Sequence, residues 1–481
     1  MMKYQQLLTS LCLALMSLGV IAEDDKSLLI AKVTQAYGGE KLVKAKNLTI
    51  HESYKSAMFG QSETPESLNL RKVVQTSILD FESNTAEVTQ KFAQREIDFY
   101  FRKIYKNGQF FNINLVNDSY PEPQTTSRFQ ATGYIMLIND IGLARLLIEN
   151  PNEVAVQNDI VLANIAYDNL QMKLPNGLKL SLYIDKSTGR IRHSIRHHRT
   201  YGKIRTDFSN YQQVDGLTYA SETEVFYGKD LAMVTLNREV QVNQVLENSF
   251  AQVELFHQHS PDLYPLEMTV RNIGENVYLV GKGAVHSIFF VEGDLVYGAE
   301  SYAGVMDRFK ALEKKLNKKL KLHSLVVTHH HSDHISGINE LASSDAQIVT
   351  VAEHLPVLQD KLKEPQPLSR FTIVDQAVKL ANGKVQVFDI TTAHSEHNLL
   401  FYIPAEQLLF VADHYRSSYK EEEIIAFTDL LNFRNAIDNL PVTVKTFTSV
   451  HGTKLLDYQT LVEATDSYQA FNCQQYASIC Y

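Results

Sequence analysis

The chain has 481 residues, 44% of them hydrophobic and 21% charged, with a formal net charge of −9. That length suggests two or three domains at about 150 residues each, and the composition is that of a soluble globular protein with a substantial core. Net negative charge removes the electrostatic case for a nucleic-acid partner.

The first residues have the build of an export signal. Lys3 supplies a positive charge, Leu7 to Val20 is an apolar core, and Val20-Ile21-Ala22 is a small-residue cleavage site ahead of Glu23-Asp24-Asp25. The apolar stretch is shorter than the ~20 residues that span a bilayer, and Cys12 lacks the small residue that a lipoprotein signal places before its cysteine. A signal peptide over residues 1–22 is therefore expected, with a mature start near Glu23, a periplasmic or secreted location and no stable membrane insertion.

Residues 23–260 read as a domain of their own. Leu28 to Tyr37 has helical spacing and meets a stop at Gly38-Gly39. Alternating runs follow at Leu178 to Ile184, Ile191 to Ile195, Leu217 to Tyr227 and Leu231 to Val242, with a turn at Asp185 to Gly189. The expected class is a mainly antiparallel β (α+β) domain. A helix followed by meandering strands is loosely similar to lipoprotein-carrier-like half-barrels, which implies an apolar ligand or an envelope partner. A spacer that buries one face of the following domain is the alternative. The basic run Arg190, Arg192, His193, Arg196, His197, His198 and Arg199 is either a solvated face or an anion site, and its arginines disfavour a cation. The junction is expected around His257 to Pro265, where polar residues and two prolines interrupt the pattern.

In the remainder, Val277 to Val280 and Ser287 to Val291 read as strands, and Met306 to Leu320 as a lysine-rich amphipathic helix. The short apolar run Leu325 to Thr328 then leads into His329-His330-His331-Ser332-Asp333-His334, with a helix expected from Ile335. Alternate positions on extended backbone point the same way, so His329 and His331 can converge on one ion while His330 points elsewhere. Asp333 and His334 could serve a second. Imidazole and carboxylate together suit zinc and tolerate iron or manganese. A histidine-rich surface loop is the alternative for such a tract alone, but three further segments repeat the pattern. Val385 to Ile390 precedes His394, Leu408 to Val411 precedes Asp413, and Phe447 to Val450 precedes His451. Each polar residue stands where a buried strand runs out, as in the sites of α/β folds.

A His-x-His-x-Asp-His loop followed by a lone His, a lone Asp and a final His resembles the metallo-β-lactamase superfamily, over roughly Pro265 to Glu463. The resemblance implies an α/β fold, the αβ/βα sandwich, for residues 261–463, followed by a tail at 464–481. It implies one ion on His329, His331 and His394, a second on Asp333, His334 and His451, and a bridge through Asp413. Such a bridge goes with two ions, here two zinc ions, with iron or manganese as the alternatives. Two cations about 3.5–4 Å apart would bring a shared water towards ionisation at neutral pH, and Asp333 is the candidate catalytic residue that orients it and passes its proton on.

The chain departs from the pattern in two places. Gly298 stands where an acid is common before the first metal loop, with Glu300 as the displaced candidate, and His397 stands where a glycine is common. His354, His397 and His414 read as structural. The expected activity is that of an exported metal-dependent hydrolase of an ester, lactone or amide in a small molecule, β-lactams included. The alternatives are a mononuclear iron enzyme like the persulfide dioxygenases and an envelope ligand-binding protein with a non-catalytic metal site. Cys473 and Cys480, the two cysteines left after signal removal, are close enough in sequence to pair in an oxidising compartment.

Overall fold

The computed structural model describes residues 25–94, 97–115, 119–174, 177–198, 202–246, 253–258, 265–415, 428–452 and 454–467. The expected signal peptide and Glu23 start, Arg199, Cys473 and Cys480 lie outside the described residues.

Residues up to 258 build one large sheet, fifteen strands among the described residues. Two meanders make it, and they meet where Asn47–Ala57 pairs with Asp230–Val242, from Leu48 opposite Val242 to Ser56 opposite Met233. The pairing is antiparallel except where His257–Gln258 runs parallel to Ser119–Tyr120. Hydrophobic residues at alternate positions turn to one face, which is covered, among the described residues, by helices at residues 25–36, Glu40–Lys44, Arg128–Leu137 and Asp140–Glu149. Val33, Tyr37, Leu143 and Leu147 pack there with Leu48, Leu182 and Ile184. The first helix stops at Tyr37, where Gly38 (φ 118°) and Gly39 (φ 58°) take conformations other residues disfavour.

From residue 269 the chain forms the expected αβ/βα sandwich, with sheets of seven and six strands among the described residues. The alternation of the sequence decides the layering. In Val285–Glu292, Ile288 and Phe290 face the second sheet while Phe289 and Val291 face the outer helices. In Asn398–Ile403, Leu399, Phe401 and Ile403 face the first sheet while Leu400 and Tyr402 face the helices Thr428–Asp438 and Tyr458–Asp466 on the other side. Runs apolar on both sides, such as Ile288 to Val291 and Leu399 to Ile403, are what a sheet covered on both faces requires.

Two helix ends differ from the sequence reading. The lysine-rich helix is Val305–Leu316 and stops short of Leu320, because Asn317 turns left-handed (φ 49°) and the chain straightens into Lys321–Val326. The helix after the histidine loop is Ile338–Ala342, not from Ile335. Residues 332–337 are turns, held by the Gly337 N–H donating to Ser301 O at 2.8 Å, an approach that a Cβ at 337 would block. No helix among the described residues is long and apolar enough to cross a membrane.

Candidate metal centre

The candidate ligands stand just beyond the strands Lys321–Val326, Val385–Ile390, Leu408–Val411 and Thr446–Ser449. Strand ends are rigid and close together, which is why four distant segments can aim at one point. His329, His331 and His334 are fully buried, and the His329 ring lies 4.4, 4.1 and 4.9 Å from those of His331, His334 and His394.

Six of the seven residues singled out in the sequence fall into two groups that share one member. His329, His331, His394 and Asp413 form the first, and His334, Asp413 and His451 the second, with donor atoms within 4.8 Å of one another in each. Asp413 faces both: its Oδ2 is 3.5 Å from His394 Nε2, and its Oδ1 is 2.9 Å from His334 Nε2 and 3.0 Å from His451 Nε2.

The bond made by the far nitrogen of several rings shows which nitrogen points inward. His331 Nε2 donates to Ser62 O at 3.0 Å, leaving Nδ1 for the centre. His334 Nδ1 meets Glu300 Oε2 at 2.9 Å and His451 Nδ1 donates to Ala284 O at 2.7 Å, leaving their Nε2 atoms. Carbonyls and carboxylates holding the outer N–H are the usual support of metal-binding histidines. The inner atoms fit an ion. His334 Nε2 and Asp413 Oδ1 are buried and face each other across the gap between the two groups. His329 Nε2 and His394 Nε2 approach to 3.1 Å, near the about 3.3 Å that two nitrogens take around a tetrahedral ion at 2.0–2.1 Å.

Asp333 stands at the rim. Its Oδ2 is 3.7 Å from His334 Nε2 and accepts from Tyr302 Oη at 3.2 Å, while its Oδ1 accepts from Gln61 Nε2 at 2.8 Å. Burial and then Asp333 push the Tyr302 phenol up, so it remains a donor. Gln61 and Tyr302 carry no motif and escaped the sequence reading.

Glu300 supplies the acid missing at 298. It is fully buried and accepts from Thr328 Oγ1, His334 Nδ1 and the Tyr302 N–H at 3.1, 2.9 and 3.0 Å. Its φ of 87° is rare for a residue with a side chain, a backbone cost tolerated at functional positions. Gly298 must be glycine for packing: a Cβ there would lie 2.7 Å from Phe289 and 2.9 Å from Leu325.

Electrostatics sorts the imidazoles. Burial, reinforced by His334, His331 and His394, pushes His329 well below the usual imidazole range, into the neutral form that binds metal. Burial also opposes charge on His334, but the Asp413 and Glu300 carboxylates outweigh it and hold its pKa well up. Asp413 is held well below the carboxylate range by His334 and His394 despite its burial.

The remaining histidines have other surroundings. His397 Nδ1 pairs with Asp389 Oδ2 at 2.6 Å, and His414 stacks on Phe433 with ring centres 4.3 Å apart. His354 is buried between His330 and His397, and burial pushes it down to about 2. In the basic run, His193 and Arg205 share Asp207 at 2.7 and 3.1 Å, while Arg190 and Arg192 lie over the Tyr211 ring.

Residues 299–431 match the family model of the Metallo-beta-lactamase superfamily. The chain carries a metallo-β-lactamase-superfamily domain. The fold of that superfamily goes with divalent metal binding, in keeping with the histidine and aspartate groups above. Among solved structures, a metallo-β-lactamase from Pontibacter korlensis is 16% identical over 42% of this chain and 100% of its own, with a TM-score of 0.34. A Pseudomonas aeruginosa metallo-β-lactamase in a mono-zinc form is likewise 16% identical, over 42% of this chain and 94% of its own, with a TM-score of 0.34. No curated protein matches the chain.

Proposed function

We propose that this protein is a hydrolase that works with two divalent cations, zinc foremost, on an ester, lactone or amide bond of a small molecule, β-lactams included. The observation that carries the reading is the Asp413 carboxylate, whose two oxygens address two different histidine groups. His329, His331, His394 and Asp413 would hold one cation, and His334, His451 and Asp413, with Asp333 at the rim, the other. Bound there, such cations bring water towards ionisation at neutral pH and polarise a carbonyl oxygen.

The chain's own residues do the rest. Burial keeps His329 neutral and ready to bind. Glu300, Ser62 O and Ala284 O hold the outer nitrogens of His334, His331 and His451, so no ring has to turn when a cation arrives. Asp333 is held on both oxygens at the rim, where it can take a proton from an incoming nucleophile and give it to a leaving group.

Elemental analysis of protein purified without added metal, with nitrocefin, ester and lactone hydrolysis assayed on the same sample, tests this reading. The expected result is two zinc ions per chain with turnover of at least one substrate, both lost in His329→Ala. Turnover retained in His329→Ala would overturn it.

A further inference from the structure

The loop between the strands Asn47–Ala57 and Leu70–Asp80 belongs to the antiparallel sheet, yet its tip reaches the metal centre. Gly60 O accepts from the Ser332 N–H at 2.8 Å, and Ser62 O accepts from His331 Nε2 at 3.0 Å. Gln61 Nε2 donates to Asp333 Oδ1 at 2.8 Å. Glu63 O accepts from the Glu396 N–H at 3.0 Å and from Ser395 Oγ at 3.4 Å. Four consecutive residues thus bond to both the 329–334 loop and the loop that carries His394.

The segment is built to hold this position. Ser62 Oγ donates to Met58 O at 3.2 Å and accepts from the Asn69 N–H at 3.3 Å, and the Met58 N–H donates to Asn69 O at 3.0 Å. Phe59 anchors it to the sheet against Tyr227, with ring centres 5.5 Å apart. Gly60 has a φ of 63°, and a Cβ there would lie 2.8 Å from Ser332 Cβ. Only a glycine lets the two backbones approach so closely.

We propose that this loop is a strap through which the antiparallel-sheet domain completes the metal centre. Gln61 is a positioning residue for Asp333, and the Ser62 carbonyl is a positioning group that selects the metal-binding tautomer of His331. The inference rests on the proposed metal-dependent function and assigns the first domain a part in it. Asp333 is then gripped by one donor from each domain, Gln61 and Tyr302. The outer partners of metal ligands normally contribute about 10- to 100-fold in metal affinity or activity, and here part of that contribution comes from outside the metal-binding fold.

The test uses the full-length chain stripped of metal and reloaded with Co²⁺, comparing wild type, Gln61→Ala, Gln61→Glu and Gly60→Ala. Gln61→Ala removes the donor, Gln61→Glu sets a second carboxylate against Asp333, and Gly60→Ala pushes the strap off Ser332. The expected result is an unchanged far-ultraviolet spectrum in all four, weaker Co²⁺ binding in the three variants by about 10- to 100-fold, and altered visible absorption of the bound Co²⁺. Where turnover is measured, kcat falls with KM little changed. Co²⁺ affinity and absorption equal to wild type in all three variants would overturn the proposal and leave the strap a mere contact between domains. A wild type that binds no Co²⁺ would overturn the metal-dependent reading itself, a separate outcome read before any variant.

Discussion

Each half of the molecule buries a polar cluster, and the two are built on opposite rules. In the antiparallel sheet, Arg238 Nε donates to Glu52 Oε2 at 2.9 Å, Nη1 to Ala220 O and Thr223 Oγ1 at 3.0 and 2.7 Å, and Nη2 to Ile138 O at 3.1 Å. The other Glu52 oxygen accepts from Gln75 Nε2 at 2.9 Å. Donors meet acceptors, and the cluster is complete without a guest. In the metal centre the side chains crowd one point instead: His329 Nε2 approaches His394 Nε2 at 3.1 Å, and the single carboxylate of Asp413 faces His334, His451 and His394 together. Buried polar groups that satisfy one another hold a fold together. Several buried imidazoles around one carboxylate are expensive unless something else satisfies them, which is the part the proposed cations would play.

The comparison breaks if ligand removal spares metal binding. His394→Ala is expected to weaken metal binding by more than about a hundredfold, beyond the effect of a supporting residue, as read by competition with a chelator. Fold and melting of the metal-free protein should change far less than on loss of a buried ion pair, because the His394 ring is only partly buried. The sheet cluster should behave in the reverse way. Arg238→Ala strands a buried carboxylate and should cost about 3–5 kcal/mol in denaturant unfolding, with metal content per folded chain unaltered. Replacing Arg238 and Glu52 together with apolar residues of similar volume should cost much less.

Glu300→Gln sharpens the comparison from the other side, since it keeps the shape but loses the charge that faces His334 Nδ1. Metal affinity should fall by about 10- to 100-fold while unfolding of the metal-free chain shifts little. The smallest effect concerns His354, a histidine buried beside the centre. It stays neutral in the folded chain, its pKa pushed down to about 2, and charges near pH 6.5 when unfolded. Acid therefore favours the unfolded state: stability intact above pH 6.5 should fall by about 2 kcal/mol on reaching pH 5. Unfolding of metal-stripped protein across that range should show a shallower slope in His354→Gln.

The sandwich was legible in the sequence because runs such as Leu399 to Ile403 and Leu408 to Val411 are apolar on both faces and the ligands stand at strand ends. The ordered histidines and aspartates were readable for the same reason. The first sheet was harder to read: Gln75 and Ser77 are buried in Leu70–Asp80 while Leu70 and Val74 of the same strand are exposed, so alternation of hydrophobicity fails there. The shift of the acid from 298 to 300 was suspected from residue types, but its reason, the packing of Phe289 and Leu325 against Gly298, is visible only in three dimensions. Gln61 left no trace at all. It is one polar residue in a polar loop, and its partner lies 272 positions away.

The most direct measurement is a calorimetric Zn²⁺ titration of metal-stripped wild type and Asp413→Ala. If one carboxylate serves both histidine groups, wild type takes up two equivalents and the variant no more than one. Equal uptake by both proteins, or none by wild type, would contradict the account.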